Sequence, residues 1–153
     1  MNRKIKRVRV SAKDNKVDIE YEERNQHGKW DEFKMRCEES PLPSFNKALQ
    51  ALTTHVVQLC ELPKDATDRL FVRGLTLAYT GQDSHPQMGV SIIAQLKLKN
   101  ADSPLNVLTP HKIEGSPAPK RRLSDDCLKA VNAVIDETTK YIDGERAQTS
   151  MEV

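Results

Sequence analysis

The segment KIKRVRVSAKDNKVDIEYEE, residues 4–23, decides the fold. Polar and apolar side chains alternate from Lys4 to Ala12, with Val8, Val10 and Ala12 on one face. They alternate again from Lys16 to Glu23, with Val17, Ile19 and Tyr21 on one face. A period of two marks a half-buried strand. Asp14-Asn15 stands between the runs, and both residue types tolerate the positive φ of a two-residue hairpin turn. Such a turn sets Val10 opposite Ile19 and Val8 opposite Tyr21. On the other face it sets Arg9 opposite Glu20 and Arg7 opposite Glu22.

Working outward, Trp30 to Cys37 carries Phe33, Met35 and Cys37 on one face. A three-residue loop, Gln26-His27-Gly28, with Gly28 in the left-handed conformation, keeps that face in line with Tyr21 and Ile19. The outer face then opposes Glu20 to Lys34, Asp18 to Arg36, and Arg24 to Trp30. Pro41 and Pro43 open a helix that runs to about Cys60, with a stripe of Phe45, Leu49, Leu52, Val56 and Leu59, and Pro63 stops it. Two further strands, Arg69 to Tyr79 and Met88 to Leu98, form a hairpin through the loop from Gly81 to Pro86. Gly74 marks a candidate bulge. The Pro- and Ser-rich stretch from Asn100 to Arg122 reads as a loop with one short strand near Asn106 to Leu108. Ser124 caps a second helix striped with Leu128, Val131, Val134, Ile135, Tyr141 and Ile142, and Gly144 suits its C-terminal end.

The order β-β-β-α-β-β-(β)-α predicts an α+β fold: an antiparallel sheet of about five strands with two helices packed on one face. A chain of 153 residues is the size of one domain, read as residues 1–146 followed by a flexible tail over 147–153. No apolar run approaches the roughly 18 residues that cross a bilayer, and the basic start lacks the apolar stretch of a signal peptide. Three widely spaced cysteines, Cys37, Cys60 and Cys127, fit reduced thiols in a cytoplasm better than a disulfide framework.

The familiar phosphate loops, G-x-G-x-x-G and G-x-x-x-x-G-K-[ST], do not occur, nor does the G-x-S-x-G elbow. The four histidines, His27, His55, His85 and His111, and the cysteines lack metal-ligand spacing, so no metal and no cofactor is expected. Cys127 falls in the first turn of a helix, where the dipole lowers a thiol pKa, but Asp125 and Asp126 oppose that effect. Glu22-Glu23 and Glu38-Glu39 point to opposite strand faces and make no catalytic dyad.

Two features point to partners. Leu70, Val72 and Ile93 fall on the face of the second hairpin opposite the helices, where a solvated sheet should not gather apolar residues, and Trp30 is also placed outside. These four are the candidate protein or oligomer contact. Lys97, Lys99 and Lys112, with Lys120-Arg121-Arg122 in the Pro-Ser loop, are the candidate nucleic-acid contact. In the basic start, the hairpin register assigns Arg7 and Arg9 to cross-strand pairs and leaves Arg3, Lys4 and Lys6 for an outside partner. With a net charge of +2, distribution matters more than sum.

Tyr141-Ile142-Asp143-Gly144-Glu145-Arg146-Ala147-Gln148, closing the last helix, resembles the ending of small uncharacterised bacteriophage-encoded proteins, and Leu108-Thr109-Pro110-His111 is similar to a segment those proteins carry upstream. The resemblance implies a phage setting inside a bacterial cell and supplies no functional residues. The expected function is a non-enzymatic interaction protein, a phage accessory or host-system inhibitor acting through protein contacts or self-assembly. The alternatives are a weak, sequence-independent nucleic-acid binder of phage DNA metabolism and an enzyme with an unrecognised site.

Overall fold

The computed structural model describes residues 2–82 and 85–147. It is an α+β fold with strands β1 (Arg3–Val10), β2 (Val17–Arg24), β3 (Trp30–Cys37), β4 (Leu70–Thr80), β5 (Gln87–Leu96), β6 (Leu105–Leu108) and β7 (Lys112–Ile113), and helices α1 (Pro43–Gln50), α2 (Thr53–Leu59) and α3 (Asp125–Ile142). The seven strands form one sheet in the order β3-β2-β1-β4-β5-β6, with β7 also on β5, and every ladder is antiparallel. The sheet exceeds the expected five strands because the stretch after Asn100 contributes both β6 and β7. The helices cover one face, where Phe45, Leu49, Leu52, Val56, Val131, Val134 and Tyr141 meet Ile5, Val8, Ile19, Leu75, Val90 and Ile92 in a single core.

The alternation that defined β1 and β2 is kept, but the register differs. Val8 faces Ile19, Arg7 faces Glu20, and Arg9 faces Asp18. The turn is longer than two residues: Ser11 donates to the Lys16 carbonyl and Asn15 takes φ 53°. A slip of two residues preserves the inside and outside of each strand, so the core is unaffected. A bulge between Ile5 and Arg7 then shifts the ladder again, so Ile5 faces Tyr21 and Lys4 faces Glu22. The β2–β3 register is the one read from sequence, with Glu20 facing Lys34, Asp18 facing Arg36 and Arg24 facing Trp30. Gly28 takes φ 75°.

Gly74 does mark a bulge, and the bulge inverts what precedes it. The β4–β5 ladder shifts between Val72 and Gly74, so Leu70 and Val72 turn inward while Phe71 turns outward. Leu70 is 3% exposed and Val72 is 1% exposed, so neither belongs to an outer patch. The bulge also brings β1 and β4 very close: a Cβ on Gly74 would lie 1.9 Å from the Val8 carbonyl oxygen.

The first helix is two. Thr53 Oγ1 donates to the Gln50 carbonyl at 2.7 Å, competing for an acceptor the helix would otherwise use, and Leu52 makes a tighter bond to Leu49. Gln50 itself docks on β4, donating to the Val72 carbonyl at 3.0 Å and accepting from the Val72 N–H at 3.2 Å. That amide satisfies backbone groups just beyond the β1–β4 ladder, which runs from Gly74 to Thr76 on β4.

α3 starts and stops as its sequence implies. Ser124 accepts from the Cys127 N–H, and Gly144 at φ 99° closes the helix with Gly144 N–H to Tyr141 O and Glu145 N–H to Lys140 O. The segment from Tyr141 to Ala147 is then a clasp. Tyr141 is buried and donates to the Glu39 carbonyl at 2.5 Å, while Arg146 lies 4.3 Å from the Tyr141 ring and pairs with Glu39 at 2.9 Å. Ala147, expected in a loose tail, donates to the Ser40 carbonyl at 3.0 Å; residues 148–153 lie outside the described residues.

Two tests of this packing follow from it. Gly74→Ala should lose about 3 kcal/mol or more in urea unfolding, because a strand backbone must move. Gly28→Ala, strained in φ but sterically open, should lose about 1 kcal/mol. Near-equal losses would argue against the close approach of β1 and β4.

Burial pushes the Tyr79 and Tyr141 hydroxyls up to about 12 from the ordinary 10.0. A raised acid pKa means that the unfolded chain releases its proton first. Their contribution is therefore intact below pH about 10 and is lost as pH rises through about 12. Tyr79→Phe should flatten part of that alkaline fall in a pH series of urea midpoints; an unaltered slope would remove Tyr79 from it.

Candidate functional site

The face without helices is the place to look for a partner. On β1, β2 and β3 it carries Lys6, Arg7, Arg9, Asp18, Glu20, Glu22, Glu32, Lys34 and Arg36. On β4 and β5 it carries Phe71, Arg73, Thr76, Ser91, Ile93 and Gln95, with Asn106 and Leu108 from β6.

Two acids of this face keep the β3 partners that the sequence suggested, and the third takes a different one from β1. Glu22 pairs with Lys6 at 2.7 Å, Glu20 with Lys34 at 3.7 Å, and Asp18 with Arg36 at 3.4 Å. Arg3, expected to be available, pairs with Glu23 at 2.7 Å and Asp143 at 3.3 Å. Lys4 sits 4.3 Å from the Trp30 ring, and Arg24 lies 5.9 Å from the same ring. Trp30 is therefore half-buried between cations rather than a bare contact. Among the described residues no carboxylate lies within 4 Å of Arg7 or Arg9. The assignment of roles within the basic start is thus reversed: Arg3 and Lys6 are structural, and Arg7 and Arg9 hold uncommitted charge. The cause is the bulge at Lys6, which delivers that lysine to Glu22.

Arg9 lines a concavity of about 390 Å³ with Lys13, Arg36, Arg73, Asp18 and Gln95. Four cations therefore surround one carboxylate, which Arg36 already engages. The bulge at Gly74 turns Arg73 out onto this face. There its Nε donates to Gln95 Oε1 at 3.2 Å, and Gln95 donates onward to Asn106 at 3.3 Å. The guanidinium also lies 5.6 Å from the ring of Phe71, which is 43% exposed. Burial, and then the charge of Arg9, lower the pKa of Arg73. Two guanidiniums held in mutual repulsion form an arrangement that an anion would relieve.

The residues singled out in the sequence are not gathered. Lys97 and Lys99 follow Leu96 at the end of the sheet that also holds Arg9, Lys13 and Arg73, and they are exposed. Lys112 pairs with Val90, about 23 Å away along β5 at about 3.3 Å per residue. Lys112 donates to the Lys120 carbonyl, and Arg122 donates to Ser116 O at 2.7 Å and Pro117 O at 3.2 Å, so both brace the loop. Lys120 and Arg121 remain exposed at that far end. Of the apolar candidates, Leu70 and Val72 are buried, while Trp30 and Ile93 keep the outer face, Ile93 half-buried between Gly74 and the 65% exposed Leu108.

Other chemistry is muted. Burial pushes the Cys127 thiol up to about 11, away from reactivity. Ser91 Oγ lies 3.4 Å from His111 Nδ1, and the His111 ring rests against Gly89. Among the described residues no group of three or more His, Cys, Asp or Glu is placed to hold a metal ion, and no helix is long and apolar enough to cross a membrane.

The chain matches no protein-family model, no curated protein and no solved structure.

If Arg9 serves a ligand rather than the fold, its removal should not weaken the protein. Arg9→Gln should leave the urea midpoint unchanged or slightly raised, because it relieves Arg73. A loss above about 1 kcal/mol would make Arg9 a structural residue.

Proposed function

We propose that this chain is a binding protein whose outer sheet face takes single-stranded nucleic acid, with the phosphate backbone in the groove formed by Arg9, Lys13, Arg36 and Arg73. The observation that carries this reading is the gathering of Arg9, Lys13, Arg36 and Arg73 around one concavity beside the partly exposed Phe71. Arginine stays protonated at any physiological pH, so this groove binds and orients anions and does not shuttle protons. A basic track beside an aromatic ring is the combination that holds single strands, through phosphate contact and base stacking. An open face with all three helices behind it presents no element to enter a duplex major groove, which favours a single strand over a double one.

The resemblance of the C-terminal segment to phage proteins is the basis for placing this activity in phage DNA metabolism in a bacterial cytoplasm. A second reading, a protein contact with a host system, draws on Leu105 and Leu108, exposed at 51% and 65% along β6.

Fluorescence anisotropy with labelled oligothymidylate tests the first reading. Arg9→Ala and Arg73→Ala should each weaken binding about tenfold at low salt. Each should also reduce the slope of log K against log salt by about 0.7. Phe71→Ala should cost about 1–3 kcal/mol. The double change Lys120→Ala with Arg121→Ala should have little effect. Binding that ignores the groove variants, or depends only on Lys120 and Arg121, would remove the assignment.

A further inference from the structure

From the edge of the sheet we infer a second function for β3: it is a homodimer interface, pairing antiparallel with β3 of a second copy so that the two sheets become one. The inference is independent of nucleic-acid binding. β3 is eight residues long and, among the described residues, its only ladder is with β2, so from Asp31 to Cys37 one side of its backbone carries no described ladder. Long open edges are normally blunted by charge, and β3 carries Asp31, Glu32, Lys34 and Arg36. The order of these charges matters, because it distinguishes one register from its neighbours.

With Phe33 opposite Phe33 of the second copy, Glu32 faces Lys34 and Lys34 faces Glu32 on the outer face, and Trp30 faces Arg36 at either end. On the other face the two Phe33 rings meet at the centre. A slip of two residues one way opposes Lys34 to Lys34, and a slip the other way opposes Glu32 to Glu32. Opposite charges across a ladder stabilise it and like charges destabilise it, so the sequence disfavours both slips. The side chains needed are available. Lys34 and Arg36 are 80% and 70% exposed and hold their β2 acids only at 3.7 and 3.4 Å. Phe33 is 40% exposed, yet it is held at the rim by a stack on Tyr21 at 5.2 Å between centroids.

Sedimentation velocity over a concentration series, without nucleic acid, should show a monomer–dimer equilibrium. Lys34→Glu, which sets carboxylate against carboxylate twice, should weaken the dimer at least tenfold. Adding Glu32→Lys to it should restore the dimer, because the pairs are swapped as a set. Register is read separately in a Cys37→Ser, Cys60→Ser background. Directly opposed Cα atoms lie about 4.5–5.5 Å apart, within disulfide reach, so Phe33→Cys should cross-link under mild oxidation. Met35→Cys should not, since its symmetry mate lies four residues, about 13 Å, along the strand. A monomer at every concentration, a dimer indifferent to Lys34→Glu, or equal cross-linking at both positions would overturn the inference.

Discussion

The contact on which the rest of this structure depends is the approach of β4 to β1 at Gly74. Val8 brings its carbonyl oxygen to where any side chain at position 74 would begin. The extra residue in β4 that accompanies this approach changes the phase of the strand. Leu70 and Val72 complete the floor under α1 and α2, and Gln50 seals the exposed Val72 peptide groups. The same change of phase places Arg73 and Phe71 on the open face. Core closure and the candidate site are therefore two consequences of one bulge, and a straight β4 would have neither.

A second bulge, at Lys6 in β1, does comparable work on the charges. Without it, Arg7 and Arg9 would compete with no other β1 residue for the acids of β2. With it, Lys6 reaches Glu22, while β3 supplies Lys34 and Arg36 to Glu20 and Asp18 from the other side. The outer face as described holds six cations against four carboxylates. Glu20 and Asp18 are taken from β3 and Glu22 from Lys6, so its surplus positive charge lies along β1 and β4. A net charge of +2 over the whole chain conceals that separation.

Much of the architecture was legible because period and parity survive errors of register. Strands, helices, their order, the β2–β3 pairing, the Ser124 cap and the Gly144 stop all follow from local pattern. The β1–β2 register was misread by two residues because the turn recruits Ser11 to Lys16 rather than Asp14-Asn15 alone; from Arg7 to Val10 the side chains kept their faces, while the bulge at Lys6 turned Ile5 inward and Lys6 outward. The bulges were the harder matter. In β4 the apolar residues at 70 and 72 are out of phase with those at 75, 77 and 79, and Gly74 sits at the break. Reading the strand in one phase placed Leu70 and Val72 outside and hid Arg73 and Phe71. The basic residues chosen from the loop looked close in sequence to Lys112, but β5 separates Lys112 from Lys97 by most of its length.

The C-terminal segment from Tyr141 to Ala147 shows how a distinctive stretch of sequence can serve the fold alone. Tyr141, Gly144, Arg146 and Ala147 are occupied in closing α3 and tying it to Glu39 and Ser40, on the helix side of the sheet. Each has a geometric reason to be the residue it is: a buried hydroxyl with one acceptor, a positive φ, a guanidinium stacked on a ring. Surface charge has no such requirement. Arg9 has no carboxylate partner among the described residues, and Arg73, whose pKa is lowered by burial and by Arg9, is held by Gln95 and the Phe71 ring. If the proposed binding holds, it acts at the groove around Arg9 and Arg73 and not at the clasp.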